Sequence, residues 1–121
     1  MNAVDAPGRR FLDGLAESRL LYQFDCLAGC AVFYPRTVGP SGVPDALEWR
    51  ESAGLGTVYS HTRHHRRDGF ADLVLVDLDE GFRMMSLIPV APPAGVRIGQ
   101  RVRASVQPWE DVHRVVFEVL T

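Results

Sequence analysis

Two cysteines and a cluster of three histidines are the residues that could bind a metal ion. Cys26 and Cys30 are separated by three residues, and His61, His64 and His65 follow more than thirty residues later. A structural zinc ion needs four thiolate or imidazole ligands, which closed sites usually draw from pairs close in sequence. A Cys2His2 site built from both segments is one alternative, but we expect no zinc, and both cysteines to persist as small buried apolar residues.

The same residue types offer two further kinds of chemistry. Cys30, His61 and Asp72 could form a nucleophile, a base and an orienting carboxylate, although nothing in their spacing requires it. The acidic residues of segment 77–80 could act as a general acid and base. They follow an apolar segment, and a charged hairpin turn is the more typical interpretation. These patterns therefore single out no catalytic residue.

Arginine is the remaining candidate for ligand binding, since all 13 basic residues are arginines. The planar guanidinium group binds phosphate through paired hydrogen bonds. These arginines could equally pair with Asp68 and Asp72 of the same chain, or with acids of a partner. The candidate phosphate contacts form two clusters in the C-terminal half: Arg66 and Arg67, then Arg97, Arg101 and Arg103.

The composition limits the class of protein. The chain has 121 residues, of which 46% are hydrophobic and 23% charged, with a net charge of −2. These values are typical of a small soluble globular protein and argue against a nucleic-acid-binding function. No apolar run approaches the length of a membrane span, and the first residues lack the order of a secretion signal. We therefore expect a cytoplasmic protein with reduced thiols and no membrane partner.

The N-terminal part is predicted to contain a leader, a helix and a hairpin. Residues 1–8 are small and polar and are predicted to be a flexible leader. An apolar stripe that includes Phe11, Leu12 and Leu15 predicts a short amphipathic helix over 9–19, which must pack on its own chain or on a partner. Two segments rich in β-branched and aromatic residues, 20–24 and 31–34, predict a small hairpin. A proline-rich loop over 35–45 then marks a boundary, so this first unit spans 9–45.

Residues 46–121 contain five or six segments with strand patterns and no helical one. The segments follow each other closely, separated by turns rich in glycine, proline and aspartate. The clearest pair is 71–78 with 82–89, which predicts a hairpin. Gly54 and Gly56 are expected to permit a bulge or bend where a barrel closes. The spacing is that of a small β-barrel or sandwich.

The order of these segments resembles the zinc-ribbon plus OB-fold proteins that accompany acyl-CoA thiolases. The resemblance implies a mainly β protein with an N-terminal helix, a rubredoxin-like ribbon hairpin and a five-stranded OB-fold barrel. This ribbon is degenerate, because its first cysteine pair is one residue too wide and Val38–Gly42 replaces the second pair. The motifs that carry the resemblance are Phe11–Leu15, Cys30, Phe33–Arg36, Leu47–Trp49, Gly54–Thr62, Leu75–Gly81 and Val96–Gly99.

The resemblance implies a non-catalytic accessory subunit within a hetero-oligomer. Its partner would be a thiolase-like enzyme, or a related acyl-CoA aldolase or hydratase. Acyl-CoA, shared with that enzyme, would contact the two arginine clusters. Two alternatives are an OB-fold that binds single-stranded nucleic acid, with Tyr59, Phe70, Phe82 and Trp109 for stacking, and a stand-alone metal protein or enzyme using the histidines and cysteines. The docking residues expected from the helix and hairpin are Phe11, Leu12, Leu15, Phe33 and Tyr34.

Overall fold

The computed structural model describes residues 6–120 and shows a mainly β protein with one α-helix. A three-stranded antiparallel sheet follows the helix, and a five-stranded antiparallel sheet follows that. The predicted fold class is confirmed. The elements are α1 (Ala6–Ala16), β1 (Leu21–Asp25), β2 (Cys30–Val32), a 3-10 turn (Pro44–Ala46), β3 (Leu47–Glu51), β4 (Leu55–Arg66), β5 (Gly69–Leu78), β6 (Arg83–Ile88), β7 (Arg101–Trp109) and β8 (Val112–Val119).

Helix α1 begins at Ala6, three residues before the predicted start. Pro7 is tolerated in the first turn because the N–H groups there have no partner within the helix. Pro7 and Gly8 are therefore helical, and the prediction of a flexible leader is wrong for them. The rest of that leader, residues 1–5, lies outside the described residues. The helix ends where Ser18 adopts a φ of 63° and the N–H of Arg19 donates to the carbonyl of Gly14 at 2.8 Å.

The N-terminal sheet has the order β2-β1-β3. The hairpin of β1 and β2 was expected from the sequence, but the partner of β3 was not. The prediction of a unit starting at residue 46 placed this strand in the barrel. Instead β3 pairs antiparallel with β1, from Leu21 opposite Glu51 to Asp25 opposite Leu47. The loop after β2 carries the chain back to the free edge of β1, which a sequence pattern does not reveal.

The C-terminal sheet has the order β6-β5-β4-β7-β8. Its two end strands meet, because the Ser86 hydroxyl of β6 donates to the carbonyl of Val115 in β8, and this contact closes the sheet into the expected OB-fold barrel. The predicted β5–β6 hairpin is present. Alternate residues of β5 point inward, and the bend in β4 is a register shift between Val58 and Ser60.

The two glycines before and within β4 have separate roles. Gly54 has a φ of +80°, a backbone conformation that residues with a side chain rarely adopt. A Cβ atom on Gly56 would lie 2.6 Å from the carbonyl oxygen of Asp77 in the paired strand. The glycines thus permit a sharp turn and a close approach of two strands, while the bulge lies further along β4.

A stack of aromatic rings joins the helix, the N-terminal sheet and the barrel. The Phe82 ring lies 4.8 Å from Tyr22 and 4.9 Å from Phe33, measured between ring centroids, and Phe33 lies 5.5 Å from Phe11. Phe82 and Tyr22 belong to one buried cluster that also includes Leu15 and the barrel interior. The helix is therefore stabilised by packing on its own chain. Within residues 6–120, no helix is long and apolar enough to cross a membrane.

Candidate functional site

The residues that could bind zinc do not converge. Cys26 and Cys30 are both free cysteines in the N-terminal sheet and its turn, whereas the histidines lie on β4. Cys26 is exposed, so the expectation of two buried cysteines is wrong for it, and Cys30 is only partly buried. The Cys26 thiol donates to Glu48 at 3.0 Å, and this hydrogen bond raises the pKa of the thiol. Among residues 6–120, no three potential metal ligands lie close enough to share an ion.

A buried carboxylate links the two loops of this sheet. Asp25 is fully buried, and one of its oxygens accepts hydrogen bonds from the N–H groups of Leu27 and Ala28 at 3.1 and 3.0 Å. The other oxygen accepts from the N–H of Ser41 at 2.9 Å. The Ala28 bond lowers the pKa of Asp25, burial opposes it, and the Ser41 bonds help keep the pKa below its ordinary value. One charged side chain thus cross-links two loops without a metal ion.

Gln23 holds the same loop at a second point. Its side chain is buried on the same face of β1 as Asp25, two residues away. The Gln23 amide donates to the carbonyl of Arg36 at 2.8 Å and accepts from the N–H of Arg36 at 2.8 Å. These two hydrogen bonds resemble the paired hydrogen bonds between two antiparallel strands. The side chain of Gln23 alone therefore fixes the segment after β2. The hairpin residues Leu21 and Val32 are buried, whereas Tyr34 is exposed.

His61 and Asp72 contact each other, but no nucleophile joins them. His61 Nε2 lies 2.8 Å from Asp72 Oδ1, and Arg63 donates to both Asp72 oxygens at 3.0 and 3.2 Å. Burial raises the pKa of Asp72, but the hydrogen bonds from Arg63 and His61 outweigh it and lower that pKa. Cys30 lies in the other sheet. The predicted alternative of a triad is therefore not assembled, and Asp72 serves to orient the side chains of His61 and Arg63.

The acidic residues of segment 77–80 all form structural contacts. Asp77 pairs with Arg83 at 2.6 Å and Asp79 with Arg101 at 2.7 Å. Glu80 accepts from the Ser52 hydroxyl at 2.7 Å and from the N–H of Ala53 at 2.8 Å, so it ties the linker between the sheets to the β5–β6 turn. These contacts stabilise the barrel, as expected of a charged turn. All three carboxylates are used in them rather than being available for acid–base chemistry.

The two predicted arginine clusters lie at different ends of β4. Arg103 and Arg101 face Leu55 and Thr57 at its start, and Arg97 precedes them in the loop before β7. Arg66 ends the strand, nine residues beyond Thr57, and Arg67 lies in the following turn. At about 3.3 Å per residue this spacing reaches roughly 30 Å along an extended strand, so the clusters cannot contact one phosphate group. Arg101 is occupied by Asp79.

The five predicted docking residues do converge, on a groove that we call the apolar groove. Its volume is about 280 Å³, and it lies between α1, the segment after β2, and strands β6 and β8. Leu15 is buried and belongs to the core of the chain, which corrects its assignment to a docking surface, whereas Leu12 and Tyr34 are 45% and 59% exposed. The lining residues are Phe11, Leu12, Leu15, Phe33, Tyr34, Pro35, Met84, Met85, Ser86, His113, Arg114 and Val115.

Met85 shows what the sequence could and could not predict of this groove. Successive residues of a strand point to opposite faces, and Met84 and Met85 are accordingly 6% and 60% exposed. The position of Met85 beside the helix was missed, because only the closure of the barrel brings β6 near α1.

A second groove, the aromatic groove, lies next to the apolar groove and shares Arg114 with it. Its volume is about 540 Å³, and it is bounded by the β4–β5 and β7–β8 hairpins and the end of β6. Phe70 and Trp109 line it and are about half exposed. Of the four rings considered for stacking, Phe82 is buried in the core instead. The lining residues are Arg66, Phe70, Ala71, Asp72, Leu87, Ile88, Pro89, Val90, Ala91, Trp109 and Arg114.

These features define an OB-fold protein with an N-terminal helix and a small antiparallel sheet. Residues 49–107 match the family model described as ChsH2, C-terminal OB-fold domain. This stretch, slightly less than half of the chain, is similar to that family of OB-fold domains. No curated protein matches the sequence significantly.

Two solved structures resemble the whole chain. One is the Ltp2–ChsH2(DUF35) aldolase, with 22% identity and a TM-score of 0.81 over 98% of this chain and 96% of that one. The other is a DUF35 family protein of unknown function from Sulfolobus solfataricus, with 15% identity and a TM-score of 0.68 over 94% of this chain and 85% of that one. These likenesses show the fold that the sequence resemblance implied, including the OB-fold, and do not show a zinc ribbon.

Proposed function

We propose that this protein is a non-catalytic accessory subunit that docks on an acyl-CoA-processing enzyme of the thiolase or aldolase class. The partner class is supported by the sequence resemblance and by the likeness to a chain of the Ltp2–ChsH2(DUF35) aldolase. The complex is then a cytoplasmic hetero-oligomer. In this proposal the chain supplies shape and stability to the complex, and the reacting groups belong to the partner.

The apolar groove carries the proposal. Leu12, Tyr34 and Met85 expose 45–60% of their surface around one concavity. Apolar residues grouped in this way are typical of interaction sites rather than of free surface. Beneath them, Phe11 and Phe33 are fixed by contact with each other. The groove is therefore a preformed surface that a partner can cover without rearranging the fold.

The charge around this groove indicates the chemistry of the partner surface. Arg114 and His113 line one side, and Arg9 and Arg10 are exposed on α1 beside Phe11. Among the described residues, none of these arginines forms an ion pair with a carboxylate. We therefore expect the partner to present an apolar side chain surrounded by acidic residues.

The two arginine clusters of the barrel are proposed to contact the phosphates of the shared acyl-CoA. Arg66 and Arg67 are the better placed cluster, since both are exposed and outside the ion pairs of the described chain. Arg97 and Arg103 lie at the opposite end of β4 and would need a separate phosphate. Arg101 would first have to leave Asp79.

Co-expression with an acyl-CoA aldolase or thiolase encoded beside this protein tests the docking proposal. Replacement of Leu12 or Tyr34 by aspartate places a charge in the groove and should abolish co-purification with the enzyme. Ile98→Asp is the matched control, because Ile98 is 71% exposed but lies outside the groove. If all three variants retain the enzyme equally, or if wild-type protein never binds it, the proposal is wrong.

A further inference from the structure

We propose that the aromatic groove binds a single nucleotide, recognised by its flat base and its phosphate together. The inference deepens the proposed function, because the nucleotide end of an acyl-CoA is one ligand of this class. It concerns the isolated chain, and it can hold or fail independently of docking. The volume of the aromatic groove, about 540 Å³, lies within the roughly 300–1,000 Å³ of typical small-molecule sites.

The rings of the groove are held in place by arginines. The Arg63 guanidinium lies over the Phe70 ring, 3.8 Å from its centroid, and Arg114 lies over Trp109 at 4.8 Å. Arg63 is itself fixed by Asp72, and Arg114 donates to Gln107 at 3.0 Å. Rings fixed before binding lose little freedom when a base stacks on them. Phe70 and Trp109 are therefore suited to hold a flat ligand.

The charge of the groove favours an anion. Its one acidic residue, Asp72, is 3% exposed and is paired with Arg63. Arg66 and Arg114 also line the groove, and within residues 6–120 neither forms an ion pair with a carboxylate. Two guanidinium groups beside two rings match a phosphate joined to a base.

The surroundings favour one nucleotide over a nucleic-acid strand. A strand needs a series of free cations along its path. Beyond the groove, however, Arg83 is paired with Asp77 and Arg101 with Asp79. Tyr59, another exposed ring of the barrel, does not line the groove. The net charge of −2 also disfavours a long polyanion.

Titration of the isolated chain with ADP tests the inference. The chain has two tryptophans, so the variant Trp49→Phe leaves Trp109 as the sole reporter of fluorescence. We expect saturable quenching by ADP. Adenosine and inorganic phosphate should each bind at least tenfold more weakly than ADP, because each supplies only half of the contacts. The 3′,5′-bisphosphate of adenosine and coenzyme A then show which phosphate arrangement is preferred.

Variants with matched controls test which residues form the site, and calorimetry measures the affinity of each variant for ADP. Trp109→Ala and Arg66→Gln should each weaken ADP binding about tenfold, and Arg66→Gln should also reduce its salt dependence. Tyr59→Ala and Arg36→Gln remove an exposed ring and an exposed arginine outside the groove and should change nothing. Thermal unfolding checks that each variant is folded, and Trp109→Phe, which keeps a ring, should retain most of the affinity.

Three results would overturn the inference. The first is the absence of saturation at millimolar ADP in the folded wild-type chain. The second is inorganic phosphate binding as tightly as ADP, which would show a simple anion site. The third is an oligonucleotide binding far more tightly than ADP in a way that depends on its length, which would show a strand-binding surface instead. None of these results bears on whether the apolar groove docks an enzyme.

Discussion

The contact between Gln23 and Arg36 predicts a specific loss of stability. Gln23→Ala removes two hydrogen bonds of 2.8 Å from a residue that is 4% exposed. Each is expected to contribute about 1 kcal/mol net, and the lost packing of the buried side chain adds a similar amount. Arg36 is exposed, so water can reach its freed backbone groups and no larger penalty arises. We expect the free energy of unfolding to fall by about 2–3 kcal/mol.

Thermal unfolding converts this value into a shift of the midpoint. A chain of 121 residues has an unfolding entropy of about 0.25 kcal/mol/K, so the midpoint should fall by roughly 10 °C. The control is Gln100→Ala, which removes one exposed hydrogen bond from the N–H of Arg97 and should cost below about 0.5 kcal/mol. If Gln23→Ala lowers the midpoint no more than the control does, Gln23 does not hold the loop.

A second variant separates the hydrogen bonds from the packing. Gln23→Glu keeps the volume, but an ionised carboxylate cannot donate to the carbonyl of Arg36. The variant should therefore be destabilised at neutral pH. It should recover partly as the pH falls, because burial raises the pKa of a carboxyl group and the protonated form can donate again. A pH-independent loss would indicate that packing alone matters.

Two further predictions concern the same sheet. Asp25→Asn should lower the unfolding midpoint at pH 7, because an amide group cannot accept from Ala28 and Ser41 with both of its ends. The folded pKa of Asp25 lies below its ordinary value of 3.8, so the stabilising effect of the charge is present above that pH and is lost as the pH falls through the folded value. The difference between wild type and variant should thus shrink in melts recorded below about pH 4, and a constant difference would contradict the assignment. Elemental analysis should find no stoichiometric zinc, and a chelator should leave the melting midpoint unchanged, because among the described residues no three potential metal ligands are grouped so that they could hold an ion.

The barrel and the helix could be predicted from the sequence because their signals are local. The β5–β6 hairpin follows from alternating residues and a tight turn, and the stripe of Leu12 and Leu15 follows from helical spacing. The place of β3 could not be predicted in this way, because its pairing with β1 depends on where a long loop returns. The start of the helix was also missed, because proline and glycine are typical of both leaders and first turns.

The candidate sites show the same difference between local signals and contacts that only the fold creates. The docking residues come from a short segment of helix and hairpin, and most of them share a groove as a result. The aromatic groove joins Phe70 to Trp109, which are thirty-nine positions apart. Arg114 was missed because no motif marks it as a binding residue. Its place next to the buried Val115 in β8 could have shown only that its side chain points outward. Asp25 was missed as well, since a buried carboxylate gives no signal until its three donors are known.

The way in which the N-terminal sheet is held has a consequence for the conditions the protein can tolerate. A sheet fixed by an ion lasts only as long as the cell supplies that ion and keeps its thiolates from oxidation. Here the cross-links are an amide and a carboxylate encoded in β1, formed as soon as the chain folds. Because the Asp25 cross-link depends on an ionised carboxylate, acid is the stress that weakens this part of the molecule.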